Sequence, residues 1–178
     1  MHRKPLTVVF VGLTAMLAVN LPIARADRND NGSDPPKIAV LDACDAGDPN
    51  WNSKGGCTLK KGTVSLAEFG AFLFSPLAGT IPVGHQSWRF QPSYLVARAG
   101  KSIKVENEGG RTHSFTEVAN FGGGEVPPLN GSLGHAPGCT GYTPLPAGDK
   151  IAVAGLAPGL HNFQCCIHPW MRATVLVE

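Results

Sequence analysis

Three side chains near the end of the chain carry donor atoms that bind soft and borderline metal ions. A thiol, an imidazole and a thioether lie at Cys165, His168 and Met171, each three residues from the next. A Cys thiolate, two His nitrogens and a weak Met sulfur are the ligands of a mononuclear copper site of the electron-transfer type. We expect the second His to come from elsewhere in the chain.

The residues on either side of this segment predict the strands that position it. At the C-terminus Val175 and Val177 fall on one face and Thr174 and Leu176 on the other, which is the pattern of a closing β-strand. The residues around Phe163 predict the strand before it. The three donor side chains therefore lie on a tight loop between two strands.

This loop resembles the copper loop of the small cupredoxins, the blue copper proteins similar to plastocyanin and amicyanin. Cys165, His168 and Met171 have the ligand spacing, Pro169 follows the His, and the aromatic Trp170 precedes the Met. The short loop is most similar to that of amicyanin. The resemblance picks Cys165, and not the adjacent Cys166, as the metal thiolate.

The resemblance extends over about half of the chain, residues 87–178. In the family the remaining ligand follows a strand and lies a few residues after an Asn. The segment 103–115 fits this description, with Asn107 as the Asn and His113 as the ligand. The implied cofactor is one copper ion, and the implied ligands are His113, Cys165, His168 and Met171.

The resemblance also implies roles for residues around the ligands. Asn107 would join the two ligand loops by hydrogen bonds, and His168 would lie near the surface in an apolar patch with Trp170, where electrons enter and leave. Ser114 follows the upstream His where amicyanin has Asn, and Ile167 stands where it has Pro. These departures bear on how the reduction potential is tuned and not on the ligand set.

The implied fold is all-β, a cupredoxin-like Greek-key β-sandwich formed by residues 87–178. The alternation of Ser102–Glu106, with Ile103 and Val105 inward, is typical of a half-buried strand. The excursion at 119–148 is too rich in Gly and Pro for much regular structure, and an excursion of this length usually has an anchoring or functional reason.

Residues 27–86 form an N-terminal extension. A short apolar run at 38–41 favours a strand, and Ser65–Glu68 has the form of a capping box that starts a short helix. The acidic residues Asp42, Asp45 and Asp48 lack the spacing of a helix–loop–helix calcium site, so we expect a solvated loop. We expect His85 and His161 at the surface.

Residues 1–26 have the form of a secretion signal. Basic residues at 2–4 precede a mostly apolar stretch at 6–23, and the triplet Ala-Arg-Ala at 24–26 resembles a cleavage site. An uncleaved anchor is the alternative, which Pro22 and the triplet disfavour. We expect a periplasmic or secreted protein that begins at Asp27 and has no membrane span after cleavage.

The five Cys residues suit an oxidising compartment, with one Cys left over for the metal. If Cys165 is the metal thiolate, four Cys remain and three pairings are possible. We favour the short local pair Cys44–Cys57 and therefore Cys139–Cys166. Adjacent Cys165 and Cys166 point to opposite sides of a strand, which disfavours a two-Cys dinuclear site.

Charge and composition limit the possible functions. Three of the 15 basic residues lie in the signal, which leaves 12 against 13 acidic ones and no electrostatic reason to bind nucleic acid. A multicopper oxidase would need His-x-His pairs, and the sequence has none.

We expect that the protein is not an enzyme. We expect an exported blue-copper protein that carries single electrons between a donor and an acceptor redox protein. The alternative is a copper carrier or storage module.

Overall fold

The computed structural model describes residues 34–73 and 84–178. The predicted signal, its cleavage site and residues 74–83, which include the predicted end of the helix, lie outside the described residues. Within these residues, no helix is long and apolar enough to cross a membrane.

Eight strands of the described chain form two four-stranded sheets, which confirms the predicted all-β class. The strands along the chain are β1 (Lys37–Leu41), β2 (Arg89–Gln91), β3 (Tyr94–Ala97), β4 (Ile103–Asn107), β5 (Thr116–Val118), β6 (Lys150–Val153), β7 (Gly159–Gln164) and β8 (Arg172–Val177). The first sheet has the order β2-β1-β4-β6 and the second has the order β3-β8-β7-β5.

Each sheet contains one parallel pair, β1 with β4 in the first and β3 with β8 in the second. The other neighbours are antiparallel. Consecutive strands from β2 through β7 lie alternately in the two sheets, so each connection between them crosses the sandwich, as in a Greek-key fold.

Period-two alternation places the apolar side chains between the sheets. In β8 the buried residues are Ala173, Val175 and Val177, and in β4 Ile103 and Val105 are buried as predicted. The closing strand predicted from the C-terminal pattern is confirmed.

Strand β1, from the predicted N-terminal extension, is an internal strand of the first sheet. Val40 pairs with Phe90 of β2 on one side and with Asn107 of β4 on the other. The extension thus supplies part of the sandwich, and its separation from residues 87–178 as a distinct domain stays a prediction.

The predicted short helix is present as α1 (Leu66–Leu73). The Ser65 hydroxyl accepts the backbone N–H of Glu68 at 3.1 Å, as a capping Ser does. The helix buries Phe69, whose ring lies 4.7 Å from that of Trp88 and 5.5 Å from that of Trp51. This aromatic contact joins the helix to the sandwich.

Two disulfides, Cys44–Cys57 and Cys139–Cys166, have the favoured pairing, and Cys165 is the free cysteine. The excursion after β5 contains two short 3₁₀ turns, Pro127–Leu129 and Pro137–Cys139. Its disulfide to Cys166 ties it to the end of β7, so the expected anchor is present.

Candidate metal centre

The loop between β7 and β8 is closed by two backbone hydrogen bonds. The N–H of Cys165 donates to the carbonyl of Met171 at 3.0 Å, and the N–H of Met171 donates to the carbonyl of His168 at 2.9 Å. Because Gln164 and Arg172 already pair across the two strands, Cys165 and Met171 stand opposite each other at the base of the loop. Pairing of the strands thereby fixes the spacing of the loop side chains.

His113 reaches the same place from the connection between β4 and β5. Its backbone pairs with that of Leu145 through hydrogen bonds of 3.0 and 2.8 Å, as an isolated antiparallel bridge. The bridge holds the backbone of His113 in an extended form, and its ring turns toward the Cys165 sulfur.

The donor atoms of three predicted ligands converge in the interior. The Cys165 Sγ lies 3.8 Å from the Nδ1 of His113 and 3.7 Å from the Nδ1 of His168, and the two Nδ1 atoms are 3.2 Å apart. Three donors that surround one first-row metal ion at about 2.0–2.3 Å need separations of this size. The donor set and its spacing therefore fit a single metal ion.

Met171, the fourth predicted ligand, is 1% exposed and packs in the core at the end of the loop. With Cys165, His113 and His168 also buried, all four side chains lie away from solvent. A thiolate, two imidazoles and a weak thioether are donors that suit copper, whereas Met is not among the usual zinc ligands.

Hydrogen bonds support a thiolate at Cys165. The backbone N–H groups of Ser114 and His168 each donate to its sulfur at 3.4 Å. Burial alone would raise the pKa of this thiol, but hydrogen bonds from His113 and His168 hold the pKa well below its usual value. Burial lowers the pKa of His168, which favours the neutral imidazole that binds metal.

Asn107 is fully buried at the end of β4, on the His113 side of the site. Its Nδ2 donates to the carbonyls of Arg111 at 2.8 Å and Leu145 at 2.9 Å, and its Oδ1 accepts the N–H of Gly109. These bonds shape the turn that leads to His113. Asn107 thus joins this turn to the Leu145 segment, whereas the family role would join it to the Cys165 loop.

Ser114 makes the connection between the two ligand segments. Besides its N–H bond to Cys165, its hydroxyl accepts the backbone N–H of Cys166 at 2.8 Å and the hydroxyl of Thr116 at 3.0 Å. Ser114 is 0% exposed, so these bonds are shielded from water. Ser114, at the position where amicyanin has Asn, therefore contacts both the His113 segment and the Cys165 segment.

A carboxylate that the sequence did not assign to the site lies behind His113. Asp42 Oδ2 is 2.8 Å from the Nε2 of His113, and both side chains are 0% exposed. The expectation of a solvated loop was wrong for Asp42, because β1 pairs with β4 and carries it into the core. The two residues are 71 positions apart, so no local motif could have linked them.

The Asp42 carboxylate also controls the charge of His113 in the metal-free protein. Burial opposes a charged imidazole, but hydrogen bonds to Asp42 and Cys165 raise the pKa of His113 to about 9. Burial likewise opposes the carboxylate, and the hydrogen bond from His113 lowers the pKa of Asp42. Metal binding at Nδ1 would therefore displace a proton.

The N-terminal segment covers the loop on its outer side. His168 is only 6% exposed, and its ring lies 5.5 Å from that of Trp170, which in turn lies 6.0 Å from Phe69 of α1. The near-surface position that the family implies for His168 is therefore not seen. His85, expected at the surface, is also buried at 3% exposure, with its ring against Trp88.

The excursion after β5 packs against the loop between β7 and β8 at Cys166. The N–H of Glu125 donates to the Cys166 carbonyl at 2.8 Å. A Cβ added at Gly124 would lie 2.0 Å from that carbonyl oxygen, so only glycine permits this approach. The disulfide from Cys139 joins the excursion to Cys166 at a second point, covalently.

Comparison with solved structures finds cupredoxins. A purple cupredoxin from Nitrosopumilus maritimus matches over 80% of this chain and 99% of its own, at 16% identity and a TM-score of 0.39. A Cu(I) mutant of amicyanin matches over 51% of this chain and 73% of its own, at 17% identity and a TM-score of 0.36. No protein-family model and no curated protein matches the chain.

Both of these solved structures are cupredoxins, the family that the loop at 165–171 resembles. Identities and TM-scores at this level do not transfer an activity from one protein to another. The function of this chain depends on its own donor atoms.

Proposed function

We propose that this protein holds one copper ion and carries single electrons between a donor and an acceptor redox protein. The observation that supports this is the convergence of the Nδ1 atoms of His113 and His168 and the Cys165 sulfur within 3.2–3.8 Å in the interior. In the proposal these three residues are ligands and Met171 is the weak fourth one.

Copper, when bound, supplies a reversible one-electron couple, and the described side chains keep the donor atoms in place. Backbone N–H groups support the Cys165 thiolate, and the Leu145 bridge holds His113. Donors held by two paired strands need little rearrangement when the charge of the site changes. A stiff site of this kind favours fast electron transfer over chemistry on a substrate.

We further propose that the protein works outside the cytoplasm, in the periplasm or as a secreted protein, after loss of residues 1–26. Its two disulfides support an oxidising compartment. The proposal includes no enzymatic activity and no nucleic-acid partner.

The test is an absorption spectrum of the purified protein after addition of cupric ion, with Cys165→Ala as the variant and His135→Ala as the control. His135 has an exposed side chain that pairs with Glu125. We expect an intense visible band in the wild type and the control, and its loss in Cys165→Ala. A colourless wild type, or equal copper affinity without Cys165, would contradict the proposed ligands.

Voltammetry then separates an electron carrier from a copper carrier or storage module. We expect one reversible one-electron wave. A protein that shows the band but no reversible wave would be a copper-binding module without the electron-transfer role.

A further inference from the structure

The Asp42 carboxylate is held in place by donors on several sides. Its Oδ1 accepts the N–H of Gly110 at 3.0 Å and that of Cys44 at 3.3 Å, and its Oδ2 accepts the N–H of Arg111 at 3.1 Å. His113 contributes the shortest bond, 2.8 Å from Nε2 to Oδ2. A buried carboxylate is tolerated when it is paired and hydrogen-bonded in this way.

The turn beside Asp42 has room only for glycine at two consecutive positions. A Cβ added at Gly109 would lie 2.2 Å from its Oδ2, and one added at Gly110 would lie 2.6 Å from Leu59. The turn before His113 can therefore close directly over the carboxylate. The place of Asp42 itself follows from the parallel pairing of β1 with β4.

The two nitrogens of His113 face different groups. Nε2 is bonded to Asp42, while Nδ1 points to Cys165 and His168. An Nε2–H that donates to a carboxylate leaves the Nδ1 lone pair free for a metal and makes the ring a stronger donor.

On the basis of the proposed copper site, we propose that Asp42 is a positioning residue that sets the orientation of His113 and lowers the reduction potential. The carboxylate places negative charge behind the ligand ring. Negative charge stabilises the oxidised site, which carries one more positive charge than the reduced site. The extension therefore tunes the site through Asp42.

The experiment compares Asp42→Asn with Asp45→Asn, a matched change three residues later. Asp45 Oδ1 accepts only the local N–H of Gly47 among the bonds described for it, and Asn can form the same turn. We expect Asp42→Asn to keep the visible band but to favour the reduced state about tenfold more strongly, which is 59 mV for one electron. The control should stay within about twofold, or about 18 mV.

A measurement on the wild type covers the case in which Asp42→Asn does not fold. In the Cu(I) form, nitrogen-15 NMR should show His113 protonated at Nε2, with a downfield, slowly exchanging proton. Protonation at Nδ1, or a rapidly exchanging Nε2 proton, would overturn the proposal.

The outcomes separate the two proposals. A coloured Asp42→Asn protein with the potential of the wild type would overturn the role of Asp42 and leave the copper site intact. A wild type without the band would contradict the proposed function and, with it, the role of Asp42.

Discussion

Ser114 and Cys166 are joined by a hydrogen bond of 2.8 Å, in which the Cys166 backbone N–H donates to the Ser114 hydroxyl. Each of the two is adjacent to a predicted ligand, Ser114 to His113 and Cys166 to Cys165. The bond therefore links the two segments that carry the donor atoms, next to the N–H that Ser114 directs at the Cys165 sulfur.

Replacement of Ser114 by Ala should destabilise the protein by about 1–3 kcal/mol, because the buried Cys166 N–H loses its acceptor. The visible band should persist, since the bond to the Cys165 sulfur comes from the backbone. Urea unfolding measures the loss, with Ser53→Ala as the exposed control. A loss no larger than that of the control would show that the Ser114 hydroxyl is dispensable.

Removal of the Cys139–Cys166 disulfide by changing both residues to Ala should cost about 3 kcal/mol, because it frees the unfolded chain between positions 27 residues apart. Since Cys166 is next to Cys165, electron paramagnetic resonance of the copper form should also change. Thermal unfolding and the spectrum test the two effects separately. An unchanged melting temperature would contradict the anchoring role of the disulfide.

Gly124→Ala should destabilise the protein by about 1–3 kcal/mol, because the new methyl group would meet the Cys166 carbonyl oxygen at 2.0 Å. Gly134→Ala is the matched control in the same excursion, since a Cβ there meets no atom within 4 Å. Denaturant midpoints of both variants give the comparison. Equal midpoints would mean that the excursion does not pack against the ligand loop.

Phe69→Ala should cost about 3–5 kcal/mol, as for other large-to-small changes in a core. Its ring contacts those of Trp51, Trp88 and Trp170. Phe72→Ala on the same helix serves as the control, because Phe72 is 46% exposed. Unfolding followed by tryptophan fluorescence measures both. Similar losses would contradict the packing of α1 over the site.

We expect the thermal stability of the protein to depend on pH in the acid range through the carboxyl group of Glu106. Hydrogen bonds from Lys37 and Lys150 lower the pKa of Glu106 from its ordinary value of 4.5 to about 2. A carboxyl with a lowered folded-state pKa stabilises the fold above the unfolded pKa and loses this effect as pH falls through the folded pKa. The melting temperature of wild type minus that of Glu106→Gln should therefore shrink from pH 5 to pH 2. A difference that does not change with pH would contradict the contribution of this carboxylate.

Much of the candidate site could be predicted because most of its residues are close together in the sequence. Three of the proposed ligands lie on one loop at a spacing of three residues, and the period-two pattern of β8 predicts the strand that follows them. His113 was predicted only through the resemblance to the small cupredoxins, in which the remaining ligand follows a strand and an Asn such as Asn107. The odd number of Cys residues predicted one free thiol, and the structure leaves Cys165 free.

The donor types and the two strands that frame the loop could be predicted from neighbouring residues, and the all-β class followed from the resemblance that those residues carry. The entry of β1 into the first sheet, the place of Asp42 behind His113 and the packing of α1 against Trp170 are visible only in the folded chain. These relations join residues far apart in sequence. They follow from burying the apolar faces of the whole chain together, which no local pattern specifies.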